Sequence, residues 1–223
     1  MDQVSAGRGR ATAGPASTPA RGSRRPARLR FDGWIAGIGT ASGTRLVVGH
    51  WPRSPFGPFT DVMVERADGD RLLLAPTERT ADFVAGTYTF DRVLIAPVRV
   101  EPGPVDWRIA AGPLDLRFTV GRRDALGHLL RAVPAPVAAR PAWTAVTDPL
   151  AHLLLGVRTR GTAGRGRREW YGVRDLHPLT TATAVFEDRD LGPLAPVVPV
   201  RFGFGSTPRT PCLVRVTTTV AAR

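Results

Sequence analysis

One alternating segment followed by a tight turn constrains this chain more than any other feature. Residues 59–66 alternate with period two, which places Thr60, Val62 and Val64 on one face of a predicted strand. Asp68-Gly69 follows, and this dipeptide is typical of two-residue β-hairpin turns. Residues 71–75 then supply the returning strand. The chain is therefore predicted to contain antiparallel β-structure from its first third onwards.

Similar segments recur along the chain and are separated by turns rich in glycine and proline. Residues 114–120 alternate apolar and polar side chains, and no βαβ repetition is visible. The sequence predicts a mainly β fold, a single antiparallel β-barrel or closed sandwich of about 10–12 strands with two or three short helices. The other predicted strands are 31–39, 45–51, 89–100, 105–110, 168–173, 180–186, 200–205 and 213–220, and the predicted helices are 77–86, 124–133 and 142–155.

The first 30 residues differ in composition from the rest of the chain. They consist mostly of Ala, Gly, Pro, Ser, Thr and Arg, and seven arginines with one acid, Asp2, give them half of the net charge of +12. Such a segment buries too little apolar surface to fold, so residues 1–30 are predicted to be a disordered tail and residues 31–223 a single domain. A solvated leader is favoured over a basic arm that contacts nucleic acid or an anionic surface.

The composition also excludes several kinds of chemistry. All 31 basic residues other than histidine are arginines, so no lysine can form a Schiff base or serve a phosphate-binding P-loop. Cys212 is the single cysteine, which is typical of a reducing compartment, and the cytoplasm is the predicted location. No apolar run reaches the roughly 20 residues needed for a transmembrane helix.

Residues 158–177 hold the densest set of reactive side chains. Asp175 and His177 lie two residues apart, on one face of a regular strand, where the aspartate would orient the histidine and raise its basicity. They are the candidate catalytic pair. Glu169 would lie roughly 26 Å from His177 at about 3.3 Å per residue, and it is assigned to structural ion pairs with nearby arginines.

A second group of residues is predicted to contact a ligand. Trp170 and Tyr171 supply aromatic surface, and arginines such as Arg174 would hold a polar end. His50 and Trp51 end a strand before a proline-rich loop, where the mouth of a barrel would lie. The predicted ligand-binding residues are Trp170, Tyr171, Arg174, His50, Trp51, Asp61 and Glu65.

The sequence has no motif typical of a cofactor-binding or metal-binding site. The glycine-rich residues 161–166 lack a P-loop lysine and a following helix, and the four histidines have no metal-ligand spacing. No cofactor and no metal are therefore predicted.

Two stretches resemble known proteins. Residues 43–65, GTRLVVGHWPRSPFGPFTDVMVE, and 159–177, TRGTAGRGRREWYGVRDLH, resemble a family of uncharacterised proteins of high-GC bacteria. In architecture the pattern looks like lipocalin-like barrels and, more loosely, acetoacetate decarboxylase-like barrels. The resemblance to the decarboxylases implies no decarboxylase activity, because that chemistry depends on a lysine.

These features lead to three functional hypotheses. The leading one is binding of a small, largely apolar ligand that bears an anionic or carbonyl group. The second is an isomerase, cyclase or hydrolase that uses the same cavity, with Asp175, His177, His50 and Asp61 as acid–base candidates. The third is an interaction protein that uses its basic tail.

Overall fold

The structure, a computed structural model, describes residues 28–138, 160–162, 167–203 and 208–221. Most of these residues belong to β-strands, as the alternation predicted. The strands are β1 Arg28–Thr40, β2 Arg45–Arg53, β3 Phe59–Glu65, β4 Arg71–Ala75, β5 Arg92–Ile95, β6 Val98–Pro102, β7 Asp106–Ala111, β8 Leu114–Val120, β9 Arg160–Thr162, β10 Arg168–Phe186, β11 Arg189–Asp190, β12 Leu194–Ala195 and β13 Cys212–Ala221, and the helices are α1 Glu78–Ala85, α2 Ala125–Ala132 and α3 Ala135–Ala138.

The strands form one curled sheet with the order β5-β4-β3-β2-β1-β13-β10-β8-β7-β6. Strands β9 and β11 pair with β10, and β12 pairs with β1. All pairings are antiparallel except that of β4 with β5. The prediction of a mainly β, barrel-like fold with a few short helices is confirmed.

The hairpin predicted at Asp68-Gly69 forms, and the predicted strands 31–39 and 45–51 also pair as a hairpin. Strands β3 and β4 pair in register from Glu65 with Arg71, and Gly69 in their turn has φ of 95°. Strands β1 and β2 are joined through Gly43, whose φ is 83°. Both angles lie in the left-handed region, which glycine adopts without steric cost.

Alternation along the strands creates two different apolar regions. On β3, Val62 and Val64 belong to the main core, whereas Asp61 and Met63 line a cavity on the other face. The same division holds on β1, β2, β10 and β13. The main core lies between strands β1–β4 and the returning strands β6–β8, which contribute Trp107, Ile109, Leu116 and Phe118.

The first two helices are capped by Thr77 and Asp124, the first residues of the predicted ranges 77–86 and 124–133. The Thr77 hydroxyl accepts a hydrogen bond from the Thr80 backbone amide, so α1 starts with a capping box. The Asp124 carboxylate accepts from the Gly127 amide at the start of α2. Each such cap stabilises a helix by about 1 kcal/mol. Helix α1 lies against β4 and brings Phe83 and Val84 to the cavity.

Strand β10 differs most from the prediction. Two strands were expected at 168–173 and 180–186, but one strand of 19 residues runs through Pro178. Its pairing with β13 shifts between Val173 and Asp175, so an extra residue, Arg174, forms a β-bulge. A bulge reverses the inward and outward alternation beyond it, because side chains alternate strictly only in a regular strand.

Smaller differences concern the ends and connections of elements. The strand predicted at 89–100 is divided into β5 and β6 around Ala96-Pro97, and residues 200–203 of the strand predicted at 200–205 are not a strand. Strand β1 begins at Arg28, three residues earlier than predicted. The helix predicted at 142–155 and most of the glycine-rich residues 161–166 lie outside the described residues. Within the described ranges, no helix is long and apolar enough to cross a membrane.

Candidate functional site

A cavity of about 170 Å³ lies on the face of the sheet opposite the main core. Strands β1, β2, β3, β10 and β13 form its wall, and α1 with the segment around residue 200 covers it. Nearly all of its lining is apolar. Its polar lining residues are Trp51, Asp61, Tyr88, Glu169, Tyr171, Cys212 and Thr218.

Asp61 is a buried carboxyl group in this apolar wall, with a relative exposure of 2%. Its Oδ1 accepts a hydrogen bond of 3.1 Å from the indole Nε1 of Trp51 on the neighbouring strand. Gly49 lies between them, and a Cβ atom there would come within 2.8 Å of Oδ1 and 2.7 Å of Nε1. The glycine therefore leaves the space in which the two side chains meet.

Glu169 carries the second buried carboxyl group. Its Oε2 accepts hydrogen bonds from the hydroxyl groups of Tyr88, at 2.9 Å, and Tyr171, at 3.0 Å. The two hydroxyl groups also contact each other at hydrogen-bonding distance. We call Glu169, Tyr88 and Tyr171 the oxygen cluster; it combines the chain's two tyrosines with one acid.

Burial changes the acidity of all these groups. It raises the pKa of Asp61 to about 7, against the lowering effect of the Trp51 bond. It also raises the pKa of Glu169 to about 7, although both tyrosine hydroxyls and the charge of Arg167 lower it. Burial and the nearby charges raise the pKa values of Tyr88 and Tyr171 well above their ordinary value. Near neutral pH both carboxyl groups therefore exist in protonated and ionised forms.

Two further groups of strand β13 line the cavity. The Thr218 hydroxyl is buried and has no hydrogen-bond partner among the described residues, and Thr218 pairs in register with Tyr171. An unpaired buried hydroxyl costs about 1–3 kcal/mol, which a ligand or water could offset. Burial raises the pKa of the Cys212 thiol to about 12, so this thiol is protonated at neutral pH.

Three of the predicted site residues line the cavity, namely Trp51, Asp61 and Tyr171. The predicted ligand contacts His50, Glu65, Trp170 and Arg174 lie outside it, as do the predicted catalytic residues Asp175 and His177.

The bulge at Arg174 explains the position of the predicted catalytic pair. Glu169, Tyr171 and Val173 line the cavity, but beyond the bulge Leu176 does so, which turns Asp175 and His177 to the other face. They still approach each other, with 3.6 Å between Nε2 of His177 and Oδ2 of Asp175.

Asp175 instead anchors the segment before α2. Arg123 donates two hydrogen bonds to its carboxylate, at 2.8 and 2.9 Å, and Arg131 lies 3.6 Å away. Burial acts to raise the pKa of Asp175, but the hydrogen bonds and charge of Arg123, with smaller contributions from His177 and the Leu176 amide, together outweigh it and the pKa is lowered. His177 contacts the Gly121 carbonyl oxygen through Nδ1 at 3.1 Å. The pair therefore joins β10 to α2.

Two predicted ligand contacts on β10 have other partners. Arg174 donates to the Thr217 hydroxyl at 3.3 Å and lies 3.6 Å from Asp32. The Trp170 ring lies under the guanidinium of Arg28, at 5.8 Å. Both side chains therefore belong to the outer surface of the sheet.

The remaining two predicted contacts are structural. His50 faces the main core, where its ring packs edge-on against Trp107 and its Nδ1 lies 2.8 Å from the Thr60 hydroxyl. Glu65 is fully buried and binds Arg45 at 3.0 Å and both the backbone amide and Nε of Arg201, at 2.7 and 2.8 Å. Within the described part of the chain, no three or more His, Cys, Asp or Glu side chains converge as a metal site requires.

The sequence interpretation missed Tyr88, Thr218 and the role of Glu169. Glu169 was expected to pair with nearby arginines, but the side chain of Arg167 lies at the end of α1. There it donates hydrogen bonds to the Phe83 carbonyl and the Thr87 hydroxyl. One signal was available, because the alternation places Glu169 and Tyr171 on one face with Val173. Tyr88 lies in the loop after α1 and has no local pattern that marks it.

Comparison with known proteins gives few matches. No protein-family model matches the chain, and no curated protein matches it. Among solved structures, the chain is similar to an acetoacetate decarboxylase from Legionella pneumophila, with a TM-score of 0.43 and 11% sequence identity over 93% of this chain and 91% of that one.

Proposed function

We propose that this protein binds a small, largely apolar molecule that bears a carbonyl group, inside the cavity of the curled sheet. The oxygen cluster of Glu169, Tyr88 and Tyr171 in an otherwise apolar cavity carries this proposal. Ligand sites combine an apolar lining with a few polar groups that fix orientation, and this cavity has that composition.

Cavity size limits the ligand. Its volume of about 170 Å³ is close to that of an engineered apolar cavity of about 150 Å³ that holds benzene. A molecule with one six-membered ring, or an open chain of similar volume, therefore fits. Phe31, Phe59 and Phe83 supply flat apolar surface for its body.

The polar groups favour a carbonyl ligand over an anionic one. No arginine is among the described residues that line the cavity, whereas two carboxyl groups are. An anion would meet Asp61 and Glu169 without a compensating positive charge, and burial of an unpaired charge is costly. The predicted arginine clamp at Arg174 does not reach the cavity.

Protons are available for a carbonyl oxygen. With Glu169 ionised, both tyrosine protons are held by its carboxylate. With Glu169 protonated, the oxygen cluster gains a third proton, and one of the three can be donated to a ligand oxygen. Thr218, whose hydroxyl lacks a partner among the described residues, adds a second donor on the adjacent strand.

A matched series of six-membered rings tests this proposal. Cyclohexanone, cyclohexanecarboxylate and cyclohexylamine share one ring and differ in a neutral, an anionic and a cationic polar group. Ligand-observed NMR and calorimetry should show the ketone binding most tightly. Tighter binding of the carboxylate or the amine, or no binding of any of the three, would overturn the proposal.

Two variants locate the binding site. Tyr171→Phe and Thr218→Val each remove one hydroxyl and should weaken cyclohexanone binding by about three- to tenfold, since a hydrogen bond contributes about 0.5–1.5 kcal/mol. Thr183→Val makes the same change at an exposed position outside the cavity and should leave binding unchanged.

The basic arm and the cytoplasmic location stay predictions. A basic arm in residues 1–30 falls almost wholly outside the described residues. A cytoplasmic location is proposed from the single cysteine, Cys212, which is a free buried thiol.

A further inference from the structure

We propose that the cavity also catalyses proton transfer at the carbon next to the ligand's carbonyl group, with Asp61 as the base and a hydroxyl group of the oxygen cluster as the donor to the enolate oxygen. The inference rests on the proposed function, because the ketone must first occupy the cavity. It adds a reaction to a binding site.

Asp61 has the position and acidity of a general base. It lines the cavity, and Trp51 fixes one of its oxygens by the 3.1 Å hydrogen bond from Nε1. Burial raises its pKa to about 7. A base is most effective when its pKa lies near the working pH, because it is then both ionised and strongly basic.

The oxygen cluster has the composition of an enolate-stabilising site. Charge on the carbonyl oxygen grows as the proton leaves, and buried hydroxyl donors stabilise that charge most in a site that excludes water. Tyr88 and Tyr171 are held in place by their hydrogen bonds to Glu169. When Glu169 is protonated, the three groups of the oxygen cluster carry three protons, and one of these can be donated to the enolate oxygen.

The base and the donors face one cavity although they lie far apart in the sheet. Asp61 is on β3 and Tyr171 on β10, four strands away in the sheet order, and the curl brings both to the same lining. Burial and the Glu169 charge raise the pKa of Tyr171, and the charge of Asp61 adds to this increase. A ring-sized ketone can therefore meet both groups.

The proposed step balances without any further reactant. The bond between the α-carbon and its hydrogen breaks, and the proton goes to the Asp61 carboxylate. The electron pair moves to form a carbon–carbon double bond and the carbonyl oxygen becomes the enolate oxygen. In D₂O, exchange of the proton on the Asp61 carboxyl group with solvent, followed by delivery of a deuteron to the same carbon, gives exchange. In a ketone with a neighbouring carbon–carbon double bond, delivery of the proton to the far carbon of the dienolate gives isomerisation.

The absence of lysine determines the kind of intermediate. No lysine in the chain can condense with the carbonyl group to form a Schiff base. The carbonyl therefore keeps its oxygen, and the stabilising groups must be hydrogen-bond donors, which the tyrosine hydroxyls are.

Exchange of the α-protons of cyclohexanone in D₂O tests this inference. Proton NMR of the full chain with cyclohexanone should show exchange faster than in buffer. Asp61→Asn should lower the exchange rate of the bound ketone by about 100-fold or more, and Tyr171→Phe by about 100-fold. Cyclohexanone binding and thermal unfolding are measured on the same samples, and Asp115→Asn, at an exposed position, serves as the matched control.

The outcomes separate the reaction from the binding. If cyclohexanone binds but exchanges no faster than in buffer, the proton-transfer inference falls and the binding proposal stands. If Asp61→Asn binds cyclohexanone and still accelerates exchange, the assignment of Asp61 is overturned. If cyclohexanone does not bind the unchanged chain, both proposals fail.

Discussion

The indole of Trp51 and the carboxyl group of Asp61 meet inside the cavity at 3.1 Å, ten residues apart in the chain and on adjacent strands. Both side chains lie on the face of strands β2 and β3 that lines the cavity. The bond partly offsets the cost of a carboxylate in an apolar wall, because it stabilises the ionised form. The pKa of Asp61 therefore depends on this donor, together with a hydrogen bond from its own backbone amide.

Trp51→Phe should raise the pKa of Asp61 further above about 7, because it removes the hydrogen bond that lowers it and leaves the burial. Carbon-detected NMR titration of the aspartate carboxyl signals measures this directly. Trp170→Phe, whose ring lies outside the cavity, is the control and should leave the titration unchanged. A lower pKa of Asp61 in Trp51→Phe would contradict this expectation and would mean that water enters the cavity or that its side chains rearrange.

The stability of the protein should depend on Asp61 and Glu169 between about pH 4 and pH 7. Burial raises their folded-state pKa values to about 7, from ordinary values of 3.8 and 4.5. In this window the folded chain binds more protons than the unfolded chain, so these groups make stability fall as pH rises. Burial lowers the pKa of His50, which acts with the opposite sign.

Asp61→Asn isolates one of these contributions. Between pH 5 and pH 8 the variant should lose less unfolding free energy than the unchanged chain, by on the order of 3 kcal/mol, as follows from about 1.4 kcal/mol for each pKa unit. Urea unfolding at the two pH values measures the difference. Equal pH dependence in both proteins would mean that Asp61 titrates in the folded state as it does in the unfolded chain.

Glu65 should be important for stability and unimportant for ligand binding. Glu65→Ala leaves Arg45 buried without its carboxylate, and breaking a buried ion pair costs about 3–5 kcal/mol. Arg201→Ala removes a partner that is 66% exposed and should cost less than about 1 kcal/mol. Urea unfolding compares the two variants. Equal losses would show that the exposed partner, and not the buried one, supplies the stabilisation.

Local patterns were sufficient to predict the fold class. The alternation of residues 114–120 matches β8, and the Asp68-Gly69 turn joins β3 to β4. Such features depend on neighbours in sequence, which is why the sequence indicates them. The order of strands in the sheet depends on contacts between distant residues, and the sequence alone did not predict it.

The candidate site was predicted only in part because one extra residue changes the faces of a strand. With regular alternation, Asp175 and His177 would share a face with Tyr171. The bulge at Arg174 turns them away and brings Leu176 to the cavity. A bulge depends on the pairing with β13, so no local pattern in residues 168–177 reveals it.

Asp175 and His177 should therefore affect the fold and not the cavity. Asp175→Asn weakens two hydrogen bonds from Arg123 and should destabilise the protein by about 1–3 kcal/mol. His177→Asn and Asp175→Asn should both bind cyclohexanone as the unchanged chain does. Calorimetry measures the binding and urea unfolding the stability. Loss of cyclohexanone binding in a folded His177→Asn variant would contradict this and would show that the ligand binds on the face of β10 that carries His177.

The thiol of Cys212 should resist alkylation while the protein is folded. Burial raises its pKa from 9.0 to about 12, and three pKa units correspond to about a 1000-fold smaller thiolate fraction at pH 8. Iodoacetamide labelling followed by mass spectrometry should therefore be slow in buffer and fast in urea. A chain with Cys212→Ala and Thr183→Cys, which places the thiol at an exposed position of β10, should react quickly in both conditions. Equal labelling rates for Cys212 and the exposed thiol in buffer would show that solvent and reagent enter the cavity freely, which would also remove the dry environment on which the raised acid pKa values depend.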